Sequence, residues 1–285
     1  MSVHMEAPVM GDAKARPSSA GVAWLRDKRI LLAEDNITNQ MVATQMLDAL
    51  GARVEVASDG AEALEMIAAG SYDLFLIDIE MPRVSGLDVI RCIRSSPAPL
   101  RDAPVIAVTA YALREHREKI AEAGADGLIP KPLLGIEQFG RDIVALADQS
   151  YDRGGAQTPP PPEPEAPAGG LISMKVYAEL ERSVGAVDMP ELLRKADQDL
   201  ARSETALRRA AREGDRGGVE RCTHSLASVA GSLGAVGVQR LCERLNGVAR
   251  EGGSAETQGR LADEILGQLS LVRKFVAERL AAARG

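Results

Sequence analysis

The sequence places carboxylate, hydroxyl and ammonium side chains directly after short apolar runs, where together they could handle a phosphoryl group. The five residues are Glu34, Asp35, Asp78, Thr109 and Lys131. Carboxylates that converge in one crevice repel one another unless a cation neutralises them, and hard oxygen ligands favour Mg²⁺. A divalent ion beside Asp78 would also balance an incoming phosphoryl group, whose oxygens the ammonium and the hydroxyl could bind.

Each of these residues is weak evidence when taken alone, because an aspartate at a strand end is usually a turn residue or a helix cap. Their positions gain meaning from the elements around them. Strands are predicted at residues 29–33, 53–57, 74–77, 105–108 and 127–129, and helical patterns start near Asn36, Asp59, Ser85, Ala112 and Gly135. This alternation predicts a parallel sheet covered by helices on both faces, with the working residues at the carboxyl ends of the strands.

Four motifs resemble the receiver domains of response regulators and hybrid kinases, over about residues 27–148. They are AEDN at 33–36, LIDIEMPRVSGLD at 76–88, VIAVTA at 105–110 and KP at 131–132. The resemblance implies a doubly wound, flavodoxin-like five-stranded parallel sheet with strand order 2-1-3-4-5. It implies that Asp78 is the phosphoacceptor and that Thr109 and Lys131 contact the phosphoryl group. The implied Mg²⁺ ligands are the side chains of Glu34, Asp35 and Asp78 and the backbone carbonyl of Glu80.

The resemblance also implies a cis bond between Lys131 and Pro132, a geometry that is accessible only before proline. One position departs from the family. Receiver domains usually carry Tyr or Phe three residues before the lysine, and this chain has Leu128. That leucine is either an ordinary core residue or a sign that the aromatic switch is absent, which would suit a domain that passes phosphate along. Glu80 and Tyr111 would flank the site and influence hydrolysis of the phosphoryl group.

Composition divides the chain into four segments. We expect a disordered tail at 1–23, an α/β receiver domain at 24–148, a Pro- and Gly-rich linker at 149–170 and an all-α domain at 171–285. The linker holds six prolines, so it can neither form a helix nor pair as a strand, and should act as a semi-rigid spacer. The receiver segment has 13 Lys and Arg against 20 Asp and Glu, whereas the last segment has 18 against 16.

The last segment lacks strand-like alternation, and its apolar residues recur every three or four positions. Glycines interrupt this pattern at positions 185, 214, 217, 218, 234, 252 and 253. They divide the segment into a short helix and four longer ones. Helices joined by such short loops favour an antiparallel bundle.

The stretch VERCTHSLASVAGSLGAVGVQRLCERL at 219–245 resembles a histidine phosphotransfer (HPt) domain. The resemblance covers about residues 171–282 and implies that His224 carries the phosphoryl group. A neutral imidazole nitrogen is nucleophilic near neutral pH, which is the chemistry that such a role requires. The alternative is a solvated histidine on a helix surface.

Two positions depart from the usual HPt pattern. Ala227 stands where these domains commonly carry Lys, and Asn246 stands where Glu or Gln is usual. We hypothesise that Arg221, three residues before His224, supplies the missing cation. Arginines also cluster around the histidine helix, and they either steer docking onto an acidic receiver or are ordinary solvated residues. They are Arg208, Arg209, Arg212, Arg216, Arg221, Arg240 and Arg244.

Two function classes fit this sequence. The favoured class is a two-component phosphorelay protein, in which Asp78 accepts a phosphoryl group and His224 transfers it to or from another aspartate. Its partners would be a sensor histidine kinase, another receiver-domain protein, or both. The alternative is a binding regulator whose degenerate HPt bundle sequesters a kinase or receiver under the control of Asp78 phosphorylation.

Further expectations come from what the sequence lacks. It has no Asp-x-Gly-x-Gly nucleotide-binding box and no helix-turn-helix module, so we expect a phosphotransfer protein that neither consumes ATP nor binds nucleic acid. It has no apolar run long enough for a membrane span and no secretory signal, so we expect a cytoplasmic protein. Cys92, Cys222 and Cys242 have no CxxC spacing, which favours reduced, buried thiols over a disulfide or a zinc site.

Overall fold

The structure is a computed structural model, and it describes residues 20–110, 114–133, 135–151 and 170–283. The predicted linker at 149–170 and the predicted tail at 1–23 lie largely outside these residues. A 3-10 helix at Gly21–Leu25 opens the described chain, and Trp24 and Leu25 are buried. Ordered structure therefore begins before residue 24, where the predicted domain starts.

The first domain is a five-stranded parallel sheet with helices on both faces. Its strands are β1 (Arg29–Ala33), β2 (Arg53–Ala57), β3 (Leu74–Asp78), β4 (Val105–Thr109) and β5 (Gly127–Pro130), in the order β2-β1-β3-β4-β5. Its helices are α1 (Ile37–Ala49), α2 (Gly60–Ala69), α3 (Gly86–Ser95), α4 (Arg114–Ala123) and α5 (Ile136–Tyr151). The predicted fold class and strand order are confirmed.

Side-chain alternation along the strands explains why both faces of this sheet are covered. Leu74 and Leu76 of β3 join one apolar cluster with α1 and α5, whereas Phe75 and Ile77 join a second cluster on the opposite face. All five residues of β3 are buried. A central strand that is buried on both faces has a continuous apolar sequence, and such a run predicted this strand at 74–77.

Polar caps set the starts of three helices close to the sheet edge. The side chains of Asn36, Asp59 and Ser85 accept hydrogen bonds from backbone N–H groups in the first turns of α1, α2 and α3. Such caps satisfy amide groups that have no partner inside the helix. The helices therefore start at the cap residues from which they were predicted, and α1 directly follows the acidic end of β1.

The second domain is a helical bundle. Its helices are α6 (Met174–Glu213), α7 (Arg216–Ser232), α8 (Val236–Arg250) and α9 (Ala255–Ala282). Gly185 interrupts α6 with a non-helical φ of 80° and ψ of 158°, so a short helix precedes a longer one within it. Gly214 ends α6 in the left-handed conformation that glycine adopts readily. The predicted short helix and four longer helices are present.

The two domains share one continuous apolar core. Helix α1 packs against α6 and α7, and a single cluster of buried side chains extends from the α1 side of the sheet into the bundle. This contact brings the part of α7 from His224 to Ser232 over the carboxyl ends of the strands. None of the described helices is long and apolar enough to cross a membrane.

The cysteine prediction holds only in part. Cys92, Cys222 and Cys242 are all free thiols, as expected. Cys242 is buried in α8, but Cys92 is exposed and Cys222 is half-buried. The prediction that all three are buried is therefore wrong, because Cys92 lies on the solvent side of the amphipathic helix α3.

Candidate functional site

Three carboxylates meet at the carboxyl ends of β1 and β3. One oxygen from each of Glu34, Asp35 and Asp78 lies within 4.8 Å of the others, with Glu34 and Asp78 buried and Asp35 open to solvent. Burial and the charge of Asp78 raise the pKa of Glu34 to about 7 and the pKa of Asp35 to about 6, although Lys131 opposes both shifts. Glu34 and Asp35 therefore hold a proton more tightly than solvated carboxylates do.

Lys131, which follows β5, reaches into this cluster. Its Nζ atom lies 2.6 Å from Oε2 of Glu34 and 2.6 Å from Oδ2 of Asp78. Burial alone would raise the pKa of Asp78, but Lys131 and His224 lower it to about 2. Burial would lower the pKa of Lys131, and its two carboxylate partners raise it instead. The lysine therefore stays charged beside an ionised Asp78.

One further predicted residue, Thr109, lines the same edge of the sheet. Thr109 ends β4 and is buried, and its backbone carbonyl accepts a hydrogen bond of 2.8 Å from the backbone N–H of Lys131. The predicted cis bond between Lys131 and Pro132 is confirmed. Leu128 is half-buried against the second apolar cluster. Tyr111, the other predicted flanking residue, lies outside the described residues.

Helix α7 places His224 directly over Asp78. The Nε2 atom of His224 lies 3.9 Å from Oδ2 of Asp78, and its Nδ1 atom lies 3.0 Å from Oε2 of Glu80. His224 is 4% exposed and Asp78 is 1% exposed, so each covers the other. Burial lowers the pKa of His224, but the carboxylates of Asp78 and Glu80 outweigh it and raise the pKa to about 9.

An arginine from α8 completes the contact around Glu80. The Nη2 atom of Arg250 lies 2.7 Å from Oε1 of Glu80, and its Nε atom lies 3.7 Å from Oε2 of Glu220. Glu80 therefore bridges a histidine and an arginine from two helices of the bundle. The pKa of Glu80 is lowered by His224 and Arg250 against the effect of its burial, which keeps this carboxylate ionised.

Polar side chains also join α1 to the bundle beside the acidic cluster. Asn36 Nδ2 donates to Oδ2 of Asp199 at 3.1 Å, and the Thr38 hydroxyl donates to the same oxygen at 2.8 Å. Asn39 Nδ2 donates to the Ser228 hydroxyl at 2.7 Å. All five residues are at least nine-tenths buried, so the contact is desolvated and hydrogen-bonded rather than a loose encounter.

The hypothesis that Arg221 supplies a cation to His224 is wrong in this structure. The Arg221 side chain is 76% exposed, and its ion-pair partner is Asp215, at 3.9 Å. Although three residues separate Arg221 from His224 on one helix, the long side chain extends toward solvent. Arg250, which the sequence interpretation did not single out, provides the positive charge next to the histidine site.

The interpretation of the other arginines as a docking surface gains little support. Among the described ion pairs, Arg208 bonds to Glu204 and Arg221 to Asp215, both within the bundle. The contacts between the domains instead include hydrogen bonds from uncharged side chains to Asp199 and Ser228 and the ion pair of Arg250 with Glu80. The alternative reading, that these arginines belong to ordinary helix surfaces, fits the ion pairs better.

The two departures from the HPt pattern have structural roles in the bundle. Ala227 is fully buried where α7 meets its neighbours, so a lysine there would bury a charge. Asn246 is buried and donates to the Glu220 carbonyl at 3.1 Å and to the Thr223 hydroxyl at 3.0 Å. These bonds tie α8 to α7 one turn from the histidine.

Family models match both halves of the chain. The model of the response regulator receiver domain matches residues 30–139, and the model of the Hpt domain matches residues 187–282. The polar-differentiation response regulator DivK of Brucella anthropi is 36% identical over 106 residues, which are 37% of this chain and 85% of DivK.

Longer relatives match as well. The aerobic respiration control sensor protein ArcB of Escherichia coli K12 is 29% identical over 217 residues, which are 76% of this chain and 27% of ArcB. A gliding motility regulatory protein of Myxococcus xanthus is 36% identical over 132 residues, 46% of this chain and 17% of that protein. The chain thus spans roughly a quarter or less of these two relatives.

A solved structure of a receiver domain also resembles the first half of the chain. The receiver domain of a Pseudomonas aeruginosa sensor histidine kinase is 35% identical, with a TM-score of 0.40, and the match covers 42% of this chain and 98% of that domain. The strand ends, the acidic cluster and the two family matches agree on one assignment. The chain belongs to the response regulator receiver family and carries an Hpt domain in the same polypeptide, the combination found in two-component phosphorelay signalling.

Proposed function

We propose that this chain is a phosphorelay protein in which Asp78 and His224 exchange a phosphoryl group directly with each other. The observation that carries the proposal is the 3.9 Å distance between Nε2 of His224 and Oδ2 of Asp78. Phosphoryl transfer keeps the entering and leaving atoms in line on opposite sides of phosphorus. These two atoms face each other across a gap that a phosphoryl group would bridge with small adjustments.

The transfer from Asp78 to His224 exchanges one P–O bond for one N–P bond. The ring first loses to solvent the Nε2 proton that the neighbouring carboxylates favour by raising the pKa of His224 to about 9. The lone pair of Nε2 then forms the N–P bond, the P–O bond to Asp78 breaks, and its electron pair returns to the Asp78 carboxylate. Lys131, which lies 2.6 Å from Oδ2, neutralises the carboxylate that is released. The same steps in reverse move the group from His224 to Asp78.

Glu80 supports this step as a positioning residue. Its carboxylate lies 3.0 Å from Nδ1 of His224, so when the ring loses a proton, the remaining proton stays on Nδ1 and the lone pair is on Nε2. Once Nε2 is phosphorylated, the ring carries a positive charge that the Glu80 carboxylate stabilises. Thr109, buried at the end of β4, would donate its hydroxyl to a phosphoryl oxygen.

The acidic cluster fits a Mg²⁺ ion. Three carboxylates supply hard oxygen ligands within 4.8 Å of one another. The pKa values of Glu34 and Asp35 are raised by burial and by the charge of Asp78, and a bound dication would offset both effects. The proposed ligands are the side chains of Glu34, Asp35 and Asp78 and the backbone carbonyl of Glu80. Bound there, Mg²⁺ would neutralise the oxygens of the phosphoryl group.

Phosphate enters and leaves through other proteins. The proposed partners are a sensor histidine kinase or a further receiver-domain protein, because the group must be carried on a histidine or an aspartate before and after it visits this chain. We propose that the receiver domain runs from Gly21 to Tyr151, because its first and last helices extend to these residues, and that the bundle spans 171–285. The linker between them, 152–170, would keep the two acceptors at high effective concentration.

The test is to follow label inside the intact chain. Radiolabelled acetyl phosphate is added to the wild type, to Asp78→Asn and to His224→Gln, and the labelled residues are identified by their acid and alkali stability. Label that appears first on an aspartate, then on His224 in the wild type alone, supports the proposal. Wild-type chain that labels at Asp78 but never at His224 would refute it.

A further inference from the structure

Asp199 of α6 lies outside the phosphotransfer centre, at the contact between the two domains. It lies at the first turn of α1, on the side of that helix that faces the bundle, and it is 5% exposed. Its Oδ2 atom accepts hydrogen bonds from Asn36 and Thr38, and its Oδ1 atom pairs with Arg202. A carboxylate that is buried between two domains is costly unless hydrogen-bond donors or a cation face it. The residues that can lie opposite Asp199 are therefore restricted.

The receiver domain is built to accept this carboxylate. Asn36 is the N-cap of α1, and its Oδ1 atom is occupied by the backbone N–H of Asn39, which turns its Nδ2 donor outward. Thr38, which is fully buried, adds a second donor. The N-terminus of a helix also favours negative charge. Donor side chains and helix dipole therefore match the one acidic group that the bundle presents to them.

We propose that Asp199 is the specificity-determining residue by which the Hpt bundle selects its receivers. It admits a receiver domain, this one or another protein's, that carries hydrogen-bond donors in the first turn of the helix after its first strand. A receiver with an acidic or apolar residue there leaves a buried carboxylate repelled or unpaired, which costs more than a missing surface contact. The proposal that Asp199 selects receivers rests on the proposed phosphotransfer function. The proposal that Asp199 holds the two domains together does not.

A second aspartate on the same helix provides a matched comparison. Asp188 accepts a hydrogen bond of 3.0 Å from Gln45 of α1, but this contact lies at the exposed rim of the interface. Rim contacts generally contribute little to affinity, whereas fully desolvated polar contacts contribute much more. Comparing the two aspartates therefore separates the effect of a buried carboxylate at the domain contact from the effect of any acidic residue on α6.

Docking can be measured without any phosphate. Carbethoxylation of His224 by diethyl pyrocarbonate, followed by peptide mass spectrometry, reports how often the covered histidine becomes accessible in the full chain. Asp199→Ala should speed modification of His224 about tenfold or more, whereas Asp188→Ala should leave it within about twofold. Equal rates for the wild type and Asp199→Ala would overturn the assignment.

Exchanging the charges at positions 38 and 199 tests whether this contact discriminates between receivers or only stabilises the docked state. Thr38→Asp places a carboxylate where helix α1 tolerates it well, but opposite Asp199 it should open the interface and speed modification about tenfold. Adding Asp199→Asn supplies an amide donor to the new carboxylate and should restore the wild-type rate to within about threefold. If Asp199→Asn does not rescue Thr38→Asp, Asp199 does not recognise the residue at position 38.

Transfer between chains completes the test. Donors carry His224→Gln with or without Thr38→Asp, and are labelled at the aspartate with acetyl phosphate. Acceptors carry Asp78→Asn with Asp199 or with Asp199→Asn. The Thr38→Asp donor should prefer the Asp199→Asn acceptor, and indifference would overturn the specificity role. If no acceptor takes label while the docking measurements behave as expected, the proposed relay fails and the docking assignment of Asp199 stands.

Discussion

Nε2 of His224 lies 3.9 Å from Oδ2 of Asp78, and each residue is almost fully covered when the two domains are in contact. The two groups proposed to carry phosphate therefore face each other and are hidden from other proteins together. Exchange with a kinase or with another receiver requires the domains to separate. The polar contacts of α1 with Asp199 and Ser228 set how easily that separation occurs.

Replacing Glu80 with Gln should slow transfer between Asp78 and His224. Glutamine keeps the size and one acceptor but removes the charge that stabilises a phosphorylated, positively charged imidazole, so we expect a loss of about tenfold. Rapid quenching after a pulse of labelled acetyl phosphate measures the transfer. Glu65→Gln, on the exposed side of α2, is the control, and equal rates for the two variants would exclude a role for the Glu80 charge.

Replacing Arg250 and replacing Arg221 should affect the transfer rate differently, although both arginines lie on the helices α7 and α8 around His224. Arg250→Ala leaves Glu80 without its 2.7 Å partner and should slow internal transfer several-fold. Arg221→Ala removes a side chain that is 76% exposed and should leave the rate unchanged. The same rapid-quench assay compares them. A slow Arg221→Ala with a normal Arg250→Ala would restore the prediction made from sequence spacing.

The sequence predicted the strands and the acidic residues because those signals are local. An apolar run such as 74–77 followed by Asp78 specifies a buried strand and its end without reference to distant residues. Asp199 and Arg250 carry no such local signal. Asp199 meets Thr38 across 161 positions and Arg250 meets Glu80 across 170, so their roles depend on how two domains pack.

Lys131 should be needed both for phosphorylation of Asp78 and for stability. Lys131→Met keeps the length of the side chain but leaves Glu34 and Asp78 with buried, uncompensated charges, and the pKa of both should rise. We expect labelling of Asp78 by acetyl phosphate to fall about a hundredfold and the thermal midpoint to drop. Lys119→Met, at an exposed position of α4, should change neither quantity. A normal rate in Lys131→Met would remove the lysine from the proposed site.

Mg²⁺ should stabilise the chain in a pH-dependent way. An ion that binds only the folded protein adds about 2.7 kcal/mol at a hundredfold excess over its Kd. The pKa values of about 7 for Glu34 and about 6 for Asp35 mean that protons compete with the ion, so the gain should fade as pH drops below these values.

Thermal melts with Mg²⁺ or with EDTA between pH 5 and 8 measure this gain. Asp35→Asn should reduce it, whereas Asp48→Asn, at an exposed position of α1, should not. A Mg²⁺ effect of the same size in Asp35→Asn would show that the ion binds elsewhere.

Gly86 should be required for the position of Asp78, and Gly267 provides its control. A Cβ atom on Gly86 would lie 1.9 Å from the backbone oxygen of Asp78, and because that contact is with backbone, no side-chain rotation relieves it. Gly86→Ala should therefore cost about 1–3 kcal/mol of stability and slow labelling of Asp78. In α9, a Cβ on Gly267 meets nothing within 4 Å, so Gly267→Ala should stabilise that helix by up to about 1 kcal/mol. Denaturant unfolding measures both changes, and a Gly86→Ala variant as stable as Gly267→Ala would contradict the close packing of α3 against β3.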